Sequence, residues 1–221
     1  DIRNDLQLVT AYAELVAEGL DAESDAASHI RTLQERAEHA AELTSTAGNV
    51  AEVMLRDEQD QTDVHLEPRL FEEVEETREA YPSATVTVDG DVPTVAVRAN
   101  EMLDSVFRNL LKNAVQHNDS PSPTVTVGVE EGTSGGRPPE AEAVAETDDV
   151  VRVWVADDGP GVPDDRKPDV FGKGERGLNS AGTGIGLHLV QTLVESYGGA
   201  VWVEDNEQSG ATFVVELPRA T

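Results

Sequence analysis

Asn109 and Asn113 stand four residues apart in the stretch "NLLKNAVQHN". On a helix that spacing puts both side chains on one face, opposite the apolar one, with Gln116 and His117 one turn further on. Amide oxygens are neutral, hard ligands, suited to a Mg²⁺ ion that already carries phosphate charge. Asn lowers helix propensity, so two mid-helix copies are either functional or simple solvent-facing decoration.

Three more segments could do chemistry. In "VADDGPGVP" a strand of alternating valines ends at Asp157 and Asp158, then Gly159 and Gly161. A carboxylate at a strand lip can accept a hydrogen bond from an exocyclic amine such as that of adenine, and the glycines let a planar ring lie against backbone. An ordinary strand-ending turn has the same composition. In "VFGKGERGLNSAGTGIGLHLV", Gly172, Gly174, Gly177 and Gly182 punctuate a stretch of low apolar content, the composition of a lid over a ligand. That stretch ends on a glycine-opened helix N-terminus, where phosphates bind well. No Gly-Lys-Ser/Thr follows, so it is not a P-loop, and the glycines do not directly follow a strand as in a dinucleotide fold. The fourth segment, "SGATFVVELP", carries little information alone.

These residues need elements to hold them. Asn100 to about His117 has helical period, with Met102, Leu103, Val106, Phe107, Leu110, Leu111 and Ala114 on one face. Another helix is expected from about Pro68 to Ala80, and a third from Gly182 to about Tyr197. "ATVTVDGD", "TVAVR", "TVTVGVE", "VVRVWVAD", "AVWVED" and "ATFVVEL" alternate as strands. The Gly-, Pro- and acid-rich residues between "TVTVGVE" and "VVRVWVAD" read as a loop joining neighbouring strands. The pattern implies an α+β sandwich, a largely antiparallel sheet covered on one face by helices.

Upstream, Ile2, Leu6, Val9, Ala13, Val16 and Leu20 form a heptad seam. A second seam runs through Ile30, Leu33, Ala37, Ala40, Thr44, Ala47, Ala51 and Met54, after a turn at Gly19–Ser24 with Asp21 or Ser24 as N-cap. Two such helices make too small a core, so the hairpin is expected to self-associate into a four-helix bundle, making the chain a homodimer. The polar residues 57–67 read as a linker. The expected domains are therefore 1–56, a helical hairpin, and 68–218, the sandwich.

The 221 residues contain 44 Asp and Glu against 16 Lys and Arg, a net charge of −28. Self-repulsion on that scale is relieved by salt, which points to a protein working in concentrated salt, as in a halophile. An acidic protein with a basic partner is the alternative. No Lys/Arg cluster stands out, so nucleic-acid binding is disfavoured. With no cysteine there is neither a disulfide framework nor a thiolate metal site, and a reducing, cytoplasmic setting is expected. No long apolar run or signal peptide appears, so membrane association would come only through a region outside this sequence. The sequence starts in mid-helix without Met and reads as a piece of something longer.

Taken in order and spacing, these segments resemble the nucleotide-binding boxes of the GHKL ATPase superfamily, and most closely the catalytic domain of sensor histidine kinases. "NLLKNAVQHN" resembles the N box, "DDGPG" the first glycine box, "VFGKGERG" the phenylalanine box and "GTGIGL" the second glycine box. The resemblance implies ATP and Mg²⁺ as ligands, with Asn113 coordinating the metal and Asn109 and His117 near the phosphates. It implies that Asp157 holds the adenine amine, that Gly159 and Gly161 line the base pocket and that Phe171 anchors the lid. Gly182, Gly184 and Gly186 would offer backbone to the phosphates. Gln116, Thr183, Ile185, Leu187 and Thr212 complete the implied nucleotide-binding set.

"DIRNDL" is similar to the stretch that follows the phospho-accepting histidine in such kinases, with Asp1, Arg3 and Asn4 at the acidic, basic and Asn/Thr positions. Asp5 stands where proline is common, and the acceptor histidine would sit one residue before Asp1. The implied reaction is phosphoryl transfer from ATP to an imidazole and onward to an aspartate of a response-regulator receiver domain. Asp1 would be the general base, and Asn4 would position water for dephosphorylating the regulator. His29 and His39 lack that context and read as surface residues. The chain is therefore expected to bind ATP without phosphorylating itself. A clamp-type ATPase of the same fold would need a general-base carboxylate in the N-box helix, and the nearest acids, Glu101 and Asp104, lie upstream.

Overall fold

The computed structural model describes residues 2–17, 24, 26–34, 36–37, 40, 44, 48, 61–133, 149–172, 186–206 and 209–220. The chain opens with helix α1 (Ile2–Ala17), followed by α2, residues 26–34. Ser24 caps α2: its Oγ accepts the Ala27 N–H at 3.1 Å, as its residue type allows. Ala13 and Ala37 of the expected seams are buried, as is Ala27, whereas Leu8, Val9, Tyr12, Leu15, Val16 and Leu33 are exposed.

The expected linker departs from its polar reading at its end. Thr62–His65 forms strand β1, paired antiparallel with β3 (Ala96–Ala99), and Arg98 binds Asp63 at 3.0 Å. Leu66, fully buried, then begins α3 (Leu66–Ala80), two residues ahead of the expected start. Pro68 sits inside the first turn, where its missing N–H has no intrahelical partner to lose. A four-residue edge strand of mostly exposed side chains has no apolar alternation to announce it. Its backbone pairing comes from β3.

The remaining strands, β2 (Thr85–Asp89), β4 (Thr124–Gly132), β5 (Val150–Asp157), β6 (Ala200–Asp205) and β7 (Ala211–Pro218), form one sheet in the order β2-β4-β5-β7-β6. β2 and β4 are parallel and every other pair is antiparallel. Register aligns Val88, Val127, Val155, Phe213 and Val203 in one row, which faces the core with helices α3, α4 (Leu103–Gln116) and α5 (Gly186–Ser196). The adjacent row, Gly128, Trp154, Val214 and Trp202, lies on the opposite face. The Trp154 indole occupies the space a side chain at Gly128 would need.

α4 is the central helix. Its expected apolar face, Leu103, Val106, Phe107, Leu110, Leu111 and Ala114, is buried together with Val115. Burying each such large side chain contributes on the order of 1.5–3 kcal/mol, enough to override two interior asparagines of poor helix propensity. Asn100 fixes the start of the helix: its Oδ1 accepts from the Met102 N–H at 2.9 Å and from the Tyr197 hydroxyl at 2.7 Å.

Candidate functional site

Core packing on one side of α4 turns Asn109 and Asn113 away from the apolar face, and both are half-buried. The Asn109 amide nitrogen donates back to the Ser105 carbonyl at 2.7 Å. Its Oδ1 lies against the first residue of α5, where a Cβ on Gly186 would come within 2.6 Å of it. The N-box helix and the start of α5 thus meet at one asparagine and one glycine. Asn113 is half-buried, and among the described residues its side chain has no hydrogen-bond partner.

The far end of α4 meets the end of β5. Asp157 is buried at 8% exposure, and its Oδ1 accepts the N–H groups of Gly159 (2.9 Å) and Ala211 (3.3 Å). Burial pushes its carboxyl above the ordinary aspartate range, against the pull of those two N–H donors. A Cβ on Gly159 would approach Asp157 Oδ1 at 2.9 Å and the His117 carbonyl at 3.4 Å. Gly161, at φ +75°, packs on the Gly210 carbonyl, so the glycines serve close backbone approach as well as conformation. Ser209 Oγ donates to the Gly159 carbonyl at 3.1 Å, and the Asn206 amide to the Asp157 carbonyl at 2.9 Å.

The neighbouring Asp158 has a different job. Its Oδ1 accepts from the Asn118 amide (2.5 Å) and the Thr124 N–H (2.9 Å), stitching the α4–β4 loop to the end of β5. Although burial pushes its carboxyl up, these hydrogen bonds outweigh it and hold Asp158 below the ordinary range.

Phe171 is buried and meets Phe213 edge-to-face, with centroids 6.1 Å apart at 89°, which fixes the chain at the start of the glycine-rich stretch. Asp157, Gly159, Gly161, Asn109, Gly186 and Phe171 are therefore all built into one region between α4, α5 and the β5 and β7 ends. Leu187 follows Gly186 and packs on the core. His117, the α4 C-cap, lies close enough to Asp157 that a charge on its ring would favour the ionised carboxylate.

Two expected residues are placed elsewhere. Thr212 pairs with Ala156 and Glu204, on the sheet face opposite Asp157, because β7 alternates and Ala211 and Phe213 take the core side. Its neighbour Ala211 is the residue that reaches Asp157. Gln116 is exposed and donates to the Tyr81 hydroxyl at 3.0 Å, bracing α4 against the end of α3. Asp1, Gly182, Thr183, Gly184 and Ile185 lie outside the described residues. So does His39, whereas His29 is exposed. Asn4 lies within α1.

Sequence reasoning missed Gly210, Ala211, Asn206, Ser209 and His188. His188 Nδ1 lies 3.2 Å from the Phe171 carbonyl. The signal for the first two was the Gly-Ala opening of "SGATFVVELP", which acquires meaning only once β7 is known to lie beside β5.

Asp104, one acid considered for a general base, is turned toward α3, where Arg69 binds it at 3.2 Å. Among the described residues no group of three or more His, Cys, Asp or Glu could hold a metal ion.

Residues 99–221 match the family described as "Histidine kinase-, DNA gyrase B-, and HSP90-like ATPase". The chain belongs to this ATPase family. Its α+β sandwich is the GHKL fold, and its catalytic domain is of the sensor histidine kinase kind. An adaptive-response sensory kinase SasA from Nostoc sp. strain PCC 7120 is 30% identical over 149 residues, covering 65% of this chain and 33% of that protein. A SasA from Synechococcus sp. strain JA-3-3Ab is 26% identical over 179 residues, covering 80% of this chain and 43% of that protein. The crystal structure of full-length ShkA in complex with AMPPNP superposes with a TM-score of 0.64 at 26% identity, covering 99% of this chain and 44% of that one. The chain spans less than half the length of these relatives. No helix among the described residues is long and apolar enough to cross a membrane.

Proposed function

We propose that this chain is the core of a two-component sensor kinase, binding ATP between α4 and the start of α5 for transfer of the γ-phosphoryl to a histidine. The observation that carries this reading is Asp157: one buried carboxylate oxygen is fixed by two backbone N–H groups, leaving the other to accept from an adenine amine. Gly159 and Gly161 beside it leave room for a ring to lie on backbone. Asn113, half-buried and without a side-chain hydrogen-bond partner among the described residues, fits a Mg²⁺ ligand, and Asn109 and Gly186 stand together where phosphates would lie. The metal ion would neutralise phosphate charge as the γ-phosphoryl departs.

The protein's own share is positioning, since phosphoryl transfer asks for little covalent chemistry from it. Asp157 orients the base, Asn109 and the α5 N-terminus orient the phosphates, and Phe171 roots the glycine-rich segment in the core. The acceptor is a histidine immediately before Asp1, with Asp1 as its base. Asn4 acts later, on the regulator's phosphoaspartate. Homodimerisation through the hairpin is supported by the apolar residues that α1 leaves exposed, Leu8, Tyr12 and Leu15 among them. The net charge of −28 supports work in concentrated salt. Asp104 is committed to Arg69, which weighs against a clamp-type ATPase with its base in this helix.

The test is to place histidine ahead of Asp1 and supply ATP labelled at the γ-phosphate. Alkali-stable, acid-labile label on that histidine, absent from the chain as given, supports the kinase reading. Nucleotide binding without transfer would instead make this a regulator that reads nucleotide.

A further inference from the structure

The site described above leaves unused a group of charges between α3 and α4. Glu73 of α3 is 2% exposed, and its Oε1 accepts from Arg108 Nη2 of α4 at 2.5 Å. Glu73 Oε2 is buried without a hydrogen-bond partner among the described residues, as is Asp104 Oδ1. A buried acid with one satisfied oxygen is costly to keep for stability alone, because desolvation penalises its charged form. Arg108 directly precedes Asn109, and Asn109 fits tightly against Gly186. A small rotation of α4 about its axis would therefore carry Asn109 and Asn113 off their places.

We propose that Glu73 is a positioning residue for nucleotide binding, holding α4 through Arg108 so that Asn109 stays seated against the start of α5. The inference rests on the nucleotide reading above. The charges that act on Glu73 are Arg108 and Asp104 from α4 and Glu76 from its own helix. Arg108 also lies 3.6 Å from Glu76, and Asp104 is paired with Arg69 and repelled by Glu72. From β2, also packed on α3, the core receives Val86, whose carbonyl accepts from Arg78. Burial, more than any of these charges, pushes the Glu73 carboxyl up to about 7, so the tie to Arg108 is fully charged only on the alkaline side.

The test is calorimetric titration of the whole chain with ATP and Mg²⁺ in multimolar KCl, for wild type, Glu73→Gln and Arg108→Gln. Glu73→Gln should bind about fivefold more weakly than wild type at about pH 8.5, and the gap should close at about pH 6, where wild-type Glu73 is itself protonated. Arg108→Gln should weaken binding at the alkaline pH by a similar factor, and the double variant should be no worse than either single one. A side chain that merely supports the fold would give a variant whose affinity falls only together with its stability, whereas a positioning residue gives weaker binding at alkaline pH without a loss of stability. As a readout independent of ligand, the Asn109 side-chain amide resonance should titrate near neutrality in wild type and stay fixed in Glu73→Gln. Equal affinities at both pH values, or an equal loss at both, together with an Asn109 resonance indifferent to Glu73, would overturn the proposal. Should the wild type bind no nucleotide at all, the functional reading falls, and the Asn109 resonance still decides the positioning role.

Discussion

Asn109 Oδ1 and Gly186 are in such close contact that a single methyl group on the glycine would lie 2.6 Å from the amide oxygen. Gly186→Ala must therefore displace either the asparagine or the first turn of α5. Alanine favours helix over glycine by roughly 0.5–1 kcal/mol, so this variant should keep most of its stability while losing nucleotide affinity by about tenfold or more. Thermal melting together with nucleotide titration would separate the two effects. Unchanged affinity would show that the Asn109–Gly186 contact is incidental.

Asp157→Ala removes the acceptor of two backbone N–H groups, leaving the Gly159 and Ala211 donors unpartnered in a buried place. The expected destabilisation is about 1–3 kcal/mol, read by denaturant unfolding. Asp157→Asn is the sharper probe of binding, since it keeps the shape and a carbonyl oxygen. It should weaken adenine nucleotides by at least tenfold with a smaller change in unfolding midpoint. In wild type, burial raises the Asp157 carboxyl, so affinity should begin to fall on acidification at a higher pH than an ordinary aspartate would cause.

Glu73 gives a pH signature in stability. Its folded pKa, about 7, lies above the ordinary 4.5, so the folded chain keeps a proton that the unfolded chain has released. The stability of the protonated form is fully present below about pH 4.5 and is lost as pH rises through 7. Glu73→Gln should therefore unfold about 1–3 kcal/mol harder than wild type at pH 8.5, with the difference shrinking toward pH 5. A variant that is more stable yet binds nucleotide less well would be the mark of a residue kept for positioning. A variant destabilised at every pH would contradict this linkage.

How far these features could be read beforehand depends on what carries each one. The apolar face of α4 was legible because seven large or small apolar residues repeat with helical period. The strands of the main sheet were legible because one buried face forces alternation. Strand β1 was not, since Thr62–His65 is polar, mostly exposed and defined by backbone pairing with residues 96–99. The face of Thr212 was not legible for a related reason: spacing alone does not say which of two adjacent strand residues points at Asp157. Once the β5–β7 register is known, Ala211 follows at once. The Glu73–Arg108 tie joins residues 35 apart on two helices, and no local pattern announces it.

The charge excess makes a prediction of its own. With 44 acids against 16 Lys and Arg, unfolding temperature should climb as KCl is raised from low to multimolar, through screening of self-repulsion. A melting temperature flat in KCl would contradict the concentrated-salt reading.

Calorimetry of the folded chain with ATP and Mg²⁺ at multimolar KCl addresses the site most directly. A single saturable site is expected, weakened by Asn113→Ala and Asp157→Asn alike and lost when the metal is chelated. No heat with the folded wild type, or binding indifferent to both substitutions, would contradict a nucleotide lodged between α4 and the start of α5.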